Sequence, residues 1–231
     1  MFVRCRRDRE GSSIVTTKKE TNSLRAWVDA ALVDLDHPEK DHAPLEAYVH
    51  GIGTDVEHDL IPLWKLTVAV RPRVVLELGT RRAVSTRTLA HACQRVGAIL
   101  FTCDPDPGCA PFLRGVPAIA FRCMGEQLFS MDLFPSGSVD VLFVDTDPHS
   151  FEQTTQWLRT WCVQILSPNG LAIFHDVNGR DVSSAPRPDI QVKAALLDWI
   201  SPTPAGDELY WEYVELGHDG AGGLGVLRRR T

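Results

Sequence analysis

From Arg73 onward the chain repeats one pattern: a short run of branched apolar residues, then a longer stretch with helical spacing. The apolar runs are Arg73–Leu78, Ala98–Cys103, Ala118–Cys123, Val139–Asp145 and Gly170–Phe174. The helical stretches between and after them are Ser85–Val96, Pro107–Gly115, Glu126–Phe134 and Phe151–Leu166. A strand that is apolar on both faces must be covered on both faces. A helix after each such strand gives a parallel sheet sandwiched between helices. A further helix around Asp189–Ile200 precedes two strand-like pieces, Glu208–Leu216 and Leu224–Arg229, joined by the glycine-rich link His218–Gly223. So short a link makes them an antiparallel hairpin. The expected fold is α/β and doubly wound, with five parallel strands closed by a C-terminal antiparallel β-hairpin.

Two helices precede this pattern. Leu24, Trp27, Val28, Ala31 and Leu35 have helical spacing over Ser23–Asp36, with Asn22 or Ser23 as cap. His58–Val70 forms another, with Pro62 in its first turn and Pro72 beyond its end. The expected organisation is a mobile tail over 1–21, a helical extension over 22–70, and one domain over 71–231, a division that the length of 231 residues permits. The net charge of −6 argues against nucleic-acid or anionic-membrane partners, which need a cationic face. Runs such as VLFV and LAIF fall far short of the roughly 20 residues that span a bilayer. The basic N-terminus has no apolar stretch behind it to make a secretory signal. The six cysteines form no C-x-x-C pair and no zinc-finger spacing, so free thiols in a reducing cytoplasm are expected.

The turn after the first strand reads VVLELGTRRAVST. In an open parallel sheet, ligands sit at the carboxyl ends of the strands, near the point where strand order reverses. Gly79 allows close approach of backbone, and the next helix offers free N–H groups with Ser85 and Thr86 as caps. A dinucleotide turn needs G-x-G-x-x-G and a P-loop needs G-K-[ST]; only Gly79 is present, so no pyrophosphate is expected here. Glu77 can address an ammonium group. Asp104, at the end of the second strand, can accept from ribose hydroxyls. A nucleoside joined to an amino acid describes S-adenosylmethionine. Ala83 is expected just before or within the first turn of the helix, where alanine is harmless; a positive φ there would cost about 1 kcal/mol.

A second constellation lies further on, in VDVLFVDTDPHSF and GLAIFHDVN. Asp145 and Asp176 each end an apolar strand. If these strands are neighbours they lie about 4.8 Å apart, and the two carboxylates can share a small hard cation such as Mg²⁺. Asp147, Asn178 and His149 are candidates for a third protein ligand, and Asn178 is the one adopted. Strand alternation points His175 and Asp176 in opposite directions, so His175 is either a packed histidine hydrogen-bonded behind the sheet or part of the site. His149, in the polar loop above the site, can act as general base.

Taken together, ELGTRRAVSTRTLAHA, CDPDPG, DVLFVDTDPHSFEQTTQWL and LSPNGLAIFHDV resemble the class I S-adenosylmethionine-dependent methyltransferases. The nearest likeness is to small-molecule O-methyltransferases of the cephamycin-pathway CmcI type, found in antibiotic and natural-product biosynthesis. The resemblance spans about Arg71 to Ile200 and implies a Rossmann-like seven-stranded sheet. It puts Glu77, Gly79, Thr80, Ser85 and Thr86 around the methionine part of the cofactor, and Asp104 on the ribose. Gly125 and Glu126 fall near the adenine, and Asp145 and Asp176 fall on the Mg²⁺ acids, with Asp145 beside the cofactor too. Ala83 replaces the group's usual glycine, and Pro148 is an addition to the usual loop.

The activity expected is methyl transfer to a hydroxyl of a small-molecule acceptor, with divalent-metal assistance. Asp145 and His149 would carry the chemistry, and a homodimer is expected. The rivals are a metal-independent O- or N-methyltransferase using His149, a NAD-dependent reductase on the same fold, and a binding protein without methylation. The N-terminal helices, the Val177–Pro188 loop and the final hairpin would shape the acceptor pocket.

Overall fold

The computed structural model describes residues 23–34, 54–116, 119–125, 133–180, 185–201, 211–217 and 222–229. The expected tail, most of the Glu126–Phe134 helix and Glu126 itself lie outside them.

Helices α1 (Leu24–Asp34) and α2 (Leu60–Val70) come first, α2 being entered through a 3₁₀ turn at Glu57–Asp59. The alternating pattern follows as β1 (Val74–Leu78), α3 (Val84–Val96), β2 (Ile99–Asp104), a 3₁₀ segment at Pro107–Leu113, and β3 (Ile119–Cys123). Then come β4 (Val139–Val144), α4 (Phe151–Trp157), β5 (Leu166–Phe174), α5 (Val192–Ile200), and the hairpin β6 (Trp211–Leu216) and β7 (Leu224–Arg229). The sheet has seven strands in the order β3-β2-β1-β4-β5-β7-β6. β1 to β5 pair in parallel, and β7 pairs antiparallel with both β5 and β6. This is the expected doubly wound sheet. Its order reverses between β1 and β4, so a crevice opens at their carboxyl ends.

Strand alternation sends side chains into two cores. Leu76, Leu78, Leu142, Val144 and Phe174 face α4 and α5, where Trp157 and Leu196 meet them. Val75, Val141, Phe143 and Ile173 face the other way, onto Leu24 and Val28 of α1, Leu63 of α2 and Leu89 of α3. The N-terminal helices thus supply part of the layer on that face. Ser23 caps α1 by accepting from the Ala26 amide (3.2 Å). Lys65 Nζ donates to the Leu32 carbonyl (2.9 Å), tying α2 to α1.

Two elements differ from the sequence reading. The segment after α4 does not continue as an α-helix to Leu166 but widens into a π-helical stretch, Leu158–Cys162, before β5 begins. Arg229 on β7 accounts for its ending. Its guanidinium donates to the carbonyls of Cys162 (3.3 Å) and Val163 (2.9 Å), which an irregular helix end leaves without partners. The helix expected at Pro107–Gly115 is a 3₁₀ segment instead; Pro111 inside it supplies no N–H for an α-helical bond.

Arg229→Met should keep the side-chain length and lose these bonds. Urea unfolding should then show a loss of roughly 1–3 kcal/mol. An unchanged midpoint would mean that Arg229 does not hold the end of the π-helical stretch.

Candidate active site at the carboxyl edge of the sheet

Gly79 has φ +98°, which glycine alone tolerates well. A β-carbon on it would sit 2.0 Å from the backbone oxygen of Asp145. Gly79 is therefore required first by the approach of two protein turns, rather than by a ligand. The turns are bonded to the strands beside them: Gly79 N donates to the Cys103 carbonyl (3.0 Å), and Asp145 N to the Leu78 carbonyl (2.9 Å).

Glu77 points into the second face of the sheet and is fully buried. Its carboxylate accepts from Ser85 Oγ (2.7 Å), Thr86 Oγ1 (2.6 Å) and Thr102 Oγ1 (2.7 Å), and Thr80 Oγ1 lies 2.6 Å from Thr102 Oγ1. Burial raises its pKa from 4.5 to about 7, against the lowering effect of the three hydroxyls. The acid expected to meet an ammonium group is thus enclosed by the protein and locks the turn from beneath. Ser85 and Thr86 do not cap α3, because their hydroxyls turn inward to Glu77. The cap position is held by Ala83 at φ +58° with no side-chain cap bond. The expectation that Ala83 sits harmlessly within the helix is corrected: alanine there is in the left-handed region, at a cost of about 1 kcal/mol.

Asp104 ends β2 and organises the same turn. Its Oδ2 accepts from the amides of Thr80 (3.0 Å) and Arg81 (2.8 Å), and its Oδ1 accepts from that of Asp106 (2.8 Å). A cavity of about 420 Å³ lies here, lined by Gly79, Arg81, Asp104, Phe112, Asp145 and Thr146 among others. That volume falls in the range of small-molecule sites, roughly 300–1,000 Å³. Gly125 is half-buried just beyond β3.

The second constellation gathers at the ends of β4 and β5, which pair directly. His175 still bonds to the ladder, its amide donating to the Val144 carbonyl (3.0 Å). Asp176 then takes φ +62°, which breaks the alternation. The two side chains consequently converge rather than pointing apart, with His175 Nδ1 3.4 Å from Asp176 Oδ1 and 3.3 Å from Asp145 Oδ1. His175 is not a residue packed away behind the sheet. Burial alone would lower its pKa, but the Asp145, Asp176 and Asp59 carboxylates around it raise it well above 6.5. Asp145 is held below its ordinary value: burial pushes it up, and the charges of His175 and His149 outweigh that.

His149 also reaches this cluster despite the added Pro148. Its Nε2 lies 3.2 Å from Asp176 Oδ2 and 3.9 Å from Asp145 Oδ1, and its Nδ1 lies 3.1 Å from Asp147 Oδ1. The loop is fixed by Gln191, whose amide donates to the His149 carbonyl (2.7 Å). Asn178 packs its amide against the backbone positions of Gly217 and Gly223.

Sequence reasoning missed Asp59. It is buried just before α2, accepts from the Gly223 amide (2.7 Å), and places Oδ2 3.3 Å from His175 Nε2. The only local hint was an acid at the start of a helix, which reads as an ordinary first-turn carboxylate.

Two substitutions probe this arrangement. Gly79→Ala should cost more than about 3 kcal/mol, since neither the Asp145 backbone nor the φ can yield cheaply, and thermal unfolding would register it. Glu77 has a folded-state pKa raised above its unfolded one. Its contribution to stability is therefore full below pH 4.5 and declines as pH rises through about 7. Glu77→Gln removes that dependence. The difference in unfolding free energy between variant and parent should shift by roughly 3 kcal/mol in the variant's favour from pH 4.5 to 7.5. A flat difference would place Glu77 in a less buried setting.

Comparison with known proteins bears on this geometry. Residues 76–177 match a family model described as a methyltransferase domain. No curated protein matches the chain. Among solved structures, an O-methyltransferase from Bacillus cereus in complex with SAH is 17% identical, with 88% of this chain and 90% of that one covered at a TM-score of 0.55. The SAH-bound methyltransferase PaMTH1 of Podospora anserina is 16% identical, with 95% and 100% covered at 0.61. The O-methyltransferase TomG of Streptomyces achromogenes, involved in tomaymycin synthesis, is 17% identical, with 88% of each chain covered at 0.52. At such identities these likenesses are of fold. The family match runs from β1 to the residue after Asp176, across the turns just described, so the segment that carries the site is similar to a methyltransferase domain.

Proposed function

We propose that the chain is an S-adenosylmethionine-dependent methyltransferase, that the acceptor is a hydroxyl of a small molecule, and that a divalent cation held by Asp145 and Asp176 assists the transfer. The observation that carries this reading is the cluster of Asp145, Asp176, His149 and His175, of which Asp145 also lines the cavity beside Gly79. A cation suits these residues. His149 Nε2 and both ring nitrogens of His175 are buried among carboxylates, yet none is in a hydrogen bond. Buried polar atoms left in that state are costly, and an ion among Asp145, Asp176 and the His175 nitrogen that faces them would offset part of that cost while leaving His149 free.

S-adenosylmethionine, when bound, supplies a methyl group activated by its sulfonium. The ion, when bound, would lower the pKa of an acceptor hydroxyl. The chain's own residues do the rest. Asp104 and the turn it organises hold the cavity wall, and Arg81 and Phe112 bound its opening. Asp145 stands at both the cavity and the acid cluster, so it registers the acceptor against the cofactor. His149 takes the acceptor proton on Nε2, with Asp147 beside Nδ1 to orient the ring. Tailoring of a natural product is the setting we favour. It rests on the likeness of the sequence motifs to antibiotic-tailoring O-methyltransferases and on the fold shared with TomG.

A second reading, methyl transfer without metal, is favoured by the Asp147–His149 contact alone. Chelation separates the two. Activity on a panel of phenols and other hydroxylated acceptors should fall with EDTA and return with a divalent ion. Calorimetry should show micromolar binding of S-adenosylhomocysteine. Asp145→Asn and His149→Ala should each lower kcat by about 10²-fold or more with folding intact. Full activity in EDTA would remove the cation from the mechanism, and absence of S-adenosylhomocysteine binding would remove the cofactor.

A further inference from the structure

We propose that the cation site at the ends of β4 and β5 is a nitrogen-containing one, selective for a first-row transition-metal ion over Mg²⁺. In it, His175 Nδ1 is the third protein ligand beside Asp145 and Asp176, and Asp59 is the residue that positions the ring. The inference rests on the reading of Asp145 and Asp176 as a cation site, and it replaces Asn178 as the expected third ligand.

Three observations support it. Ligand atoms of Asp145, His175 and Asp176 all lie within 4.8 Å of one another. His175 is 1% exposed and its Nδ1 faces Oδ1 of both acids, at 3.3 and 3.4 Å, without a hydrogen bond to either. A ring nitrogen that faces two carboxylates without a hydrogen bond to either stands where a metal-bound imidazole would present its lone pair. The third observation concerns the other side of the ring. Nε2 lies 3.3 Å from Asp59 Oδ2, within ion-pair distance though not aligned as a hydrogen bond, and Asp59 is itself buried and fixed by the Gly223 amide. A ligating histidine nearly always has its second nitrogen against a carboxylate or carbonyl, which fixes the tautomer and the ring plane. Gly222, at φ +80°, is what allows this: a β-carbon there would come within 2.7 Å of both Asp59 Oδ2 and His175 Nε2.

Charge counting points the same way. Asp59, Asp145 and Asp176 surround one ring. With that ring protonated and no ion, the group keeps two excess negative charges. With the ring neutral and a divalent ion bound, it keeps one. Mg²⁺ prefers an all-oxygen octahedron, whereas imidazole with carboxylates suits Mn²⁺, Co²⁺ or Zn²⁺. His149 remains available as the base.

The test uses the full chain, stripped of metal by chelator dialysis and then titrated separately with MgCl₂, MnCl₂ and CoCl₂ by calorimetry. We expect Co²⁺ to bind at least tenfold more tightly than Mg²⁺. Pulsed electron paramagnetic resonance of bound Mn²⁺ should show ¹⁴N coupling from an imidazole. In His175→Ala that coupling should vanish and Co²⁺ affinity should fall by about 10–100-fold. Asp59→Asn should weaken Co²⁺ by a similar factor while keeping the coupling. Should either variant fail to fold, the ion preference and the ¹⁴N signal of the parent protein still decide. Mg²⁺ binding as tight as Co²⁺, bound Mn²⁺ without nitrogen coupling, or coupling that survives His175→Ala would each overturn the assignment. If no ion binds while S-adenosylhomocysteine does, the cation site is wrong and the methyltransferase reading stands. If S-adenosylhomocysteine fails to bind while the ion preference holds, the reverse is true.

Discussion

The turns after β1 and β4 touch through bare backbone. Where Gly79 meets the Asp145 carbonyl there is no room for a single carbon atom, since a β-carbon would lie 2.0 Å away. Most of the site depends on this contact. It lets β1 and β4 lie side by side to their last residues, and it brings the Asp145 carboxylate to the wall of the cavity that Gly79 and Asp104 also line. A glycine here does two jobs that sequence reading tends to merge. It leaves space for a ligand, and it leaves space for the neighbouring turn. The second is the stricter demand, because backbone cannot rotate out of the way.

Beneath that contact sits a carboxylate with no solvent. Glu77 is held by three hydroxyls, one from β2 and two from α3, and a fourth hydroxyl, that of Thr80, lies against Thr102. Burying an acid is unfavourable unless it is hydrogen-bonded, and the rise of its pKa to about 7 measures how incompletely the hydroxyls compensate. The network joins β1, β2 and the first turn of α3, and so fixes the turn that Asp104 holds from outside through the Thr80 and Arg81 amides. Inner and outer acids thus clamp one short loop. With the loop held in this way, the glycines of a dinucleotide turn are unnecessary.

Much of this could be read from the sequence because apolar runs of strand length, each followed by helical spacing, leave few alternatives. The strand positions, the closing hairpin and the adjacency of Asp145 and Asp176 all follow from that pattern. What escaped it was local backbone sign and long-range contact. Left-handed φ at Ala83 has no signature in residue type, and that at Asp176 swung its carboxylate round to the side of His175. The direction of a hydroxyl was equally hidden. Ser85 and Thr86 read as caps, yet the buried Glu77 draws them inward. Asp59 lies 164 residues before its partner Gly223, and no spacing rule links them. The carbonyls at the end of the π-helical stretch after α4 are met by Arg229, which is again distant in sequence.

The Asp59 contact also changes how the N-terminal segment should be regarded. Helices α1 and α2 bury Leu24, Val28, Leu63 and Leu66 in the core beneath β1, β4 and β5. The turn leading into α2 then delivers Asp59 to His175, and the Gly222–Gly223 approach to β7 passes directly over both. Three parts of the chain that are remote in sequence meet at one imidazole: the entry to α2, the end of β5 and the start of β7. Loosening any of them would change the orientation of His175 relative to Asp145 and Asp176. Stability on this face of the sheet and the geometry of the acid cluster are therefore one property. Substitutions in the N-terminal helices should disturb the site through the ring of His175, without touching the cavity beside Gly79.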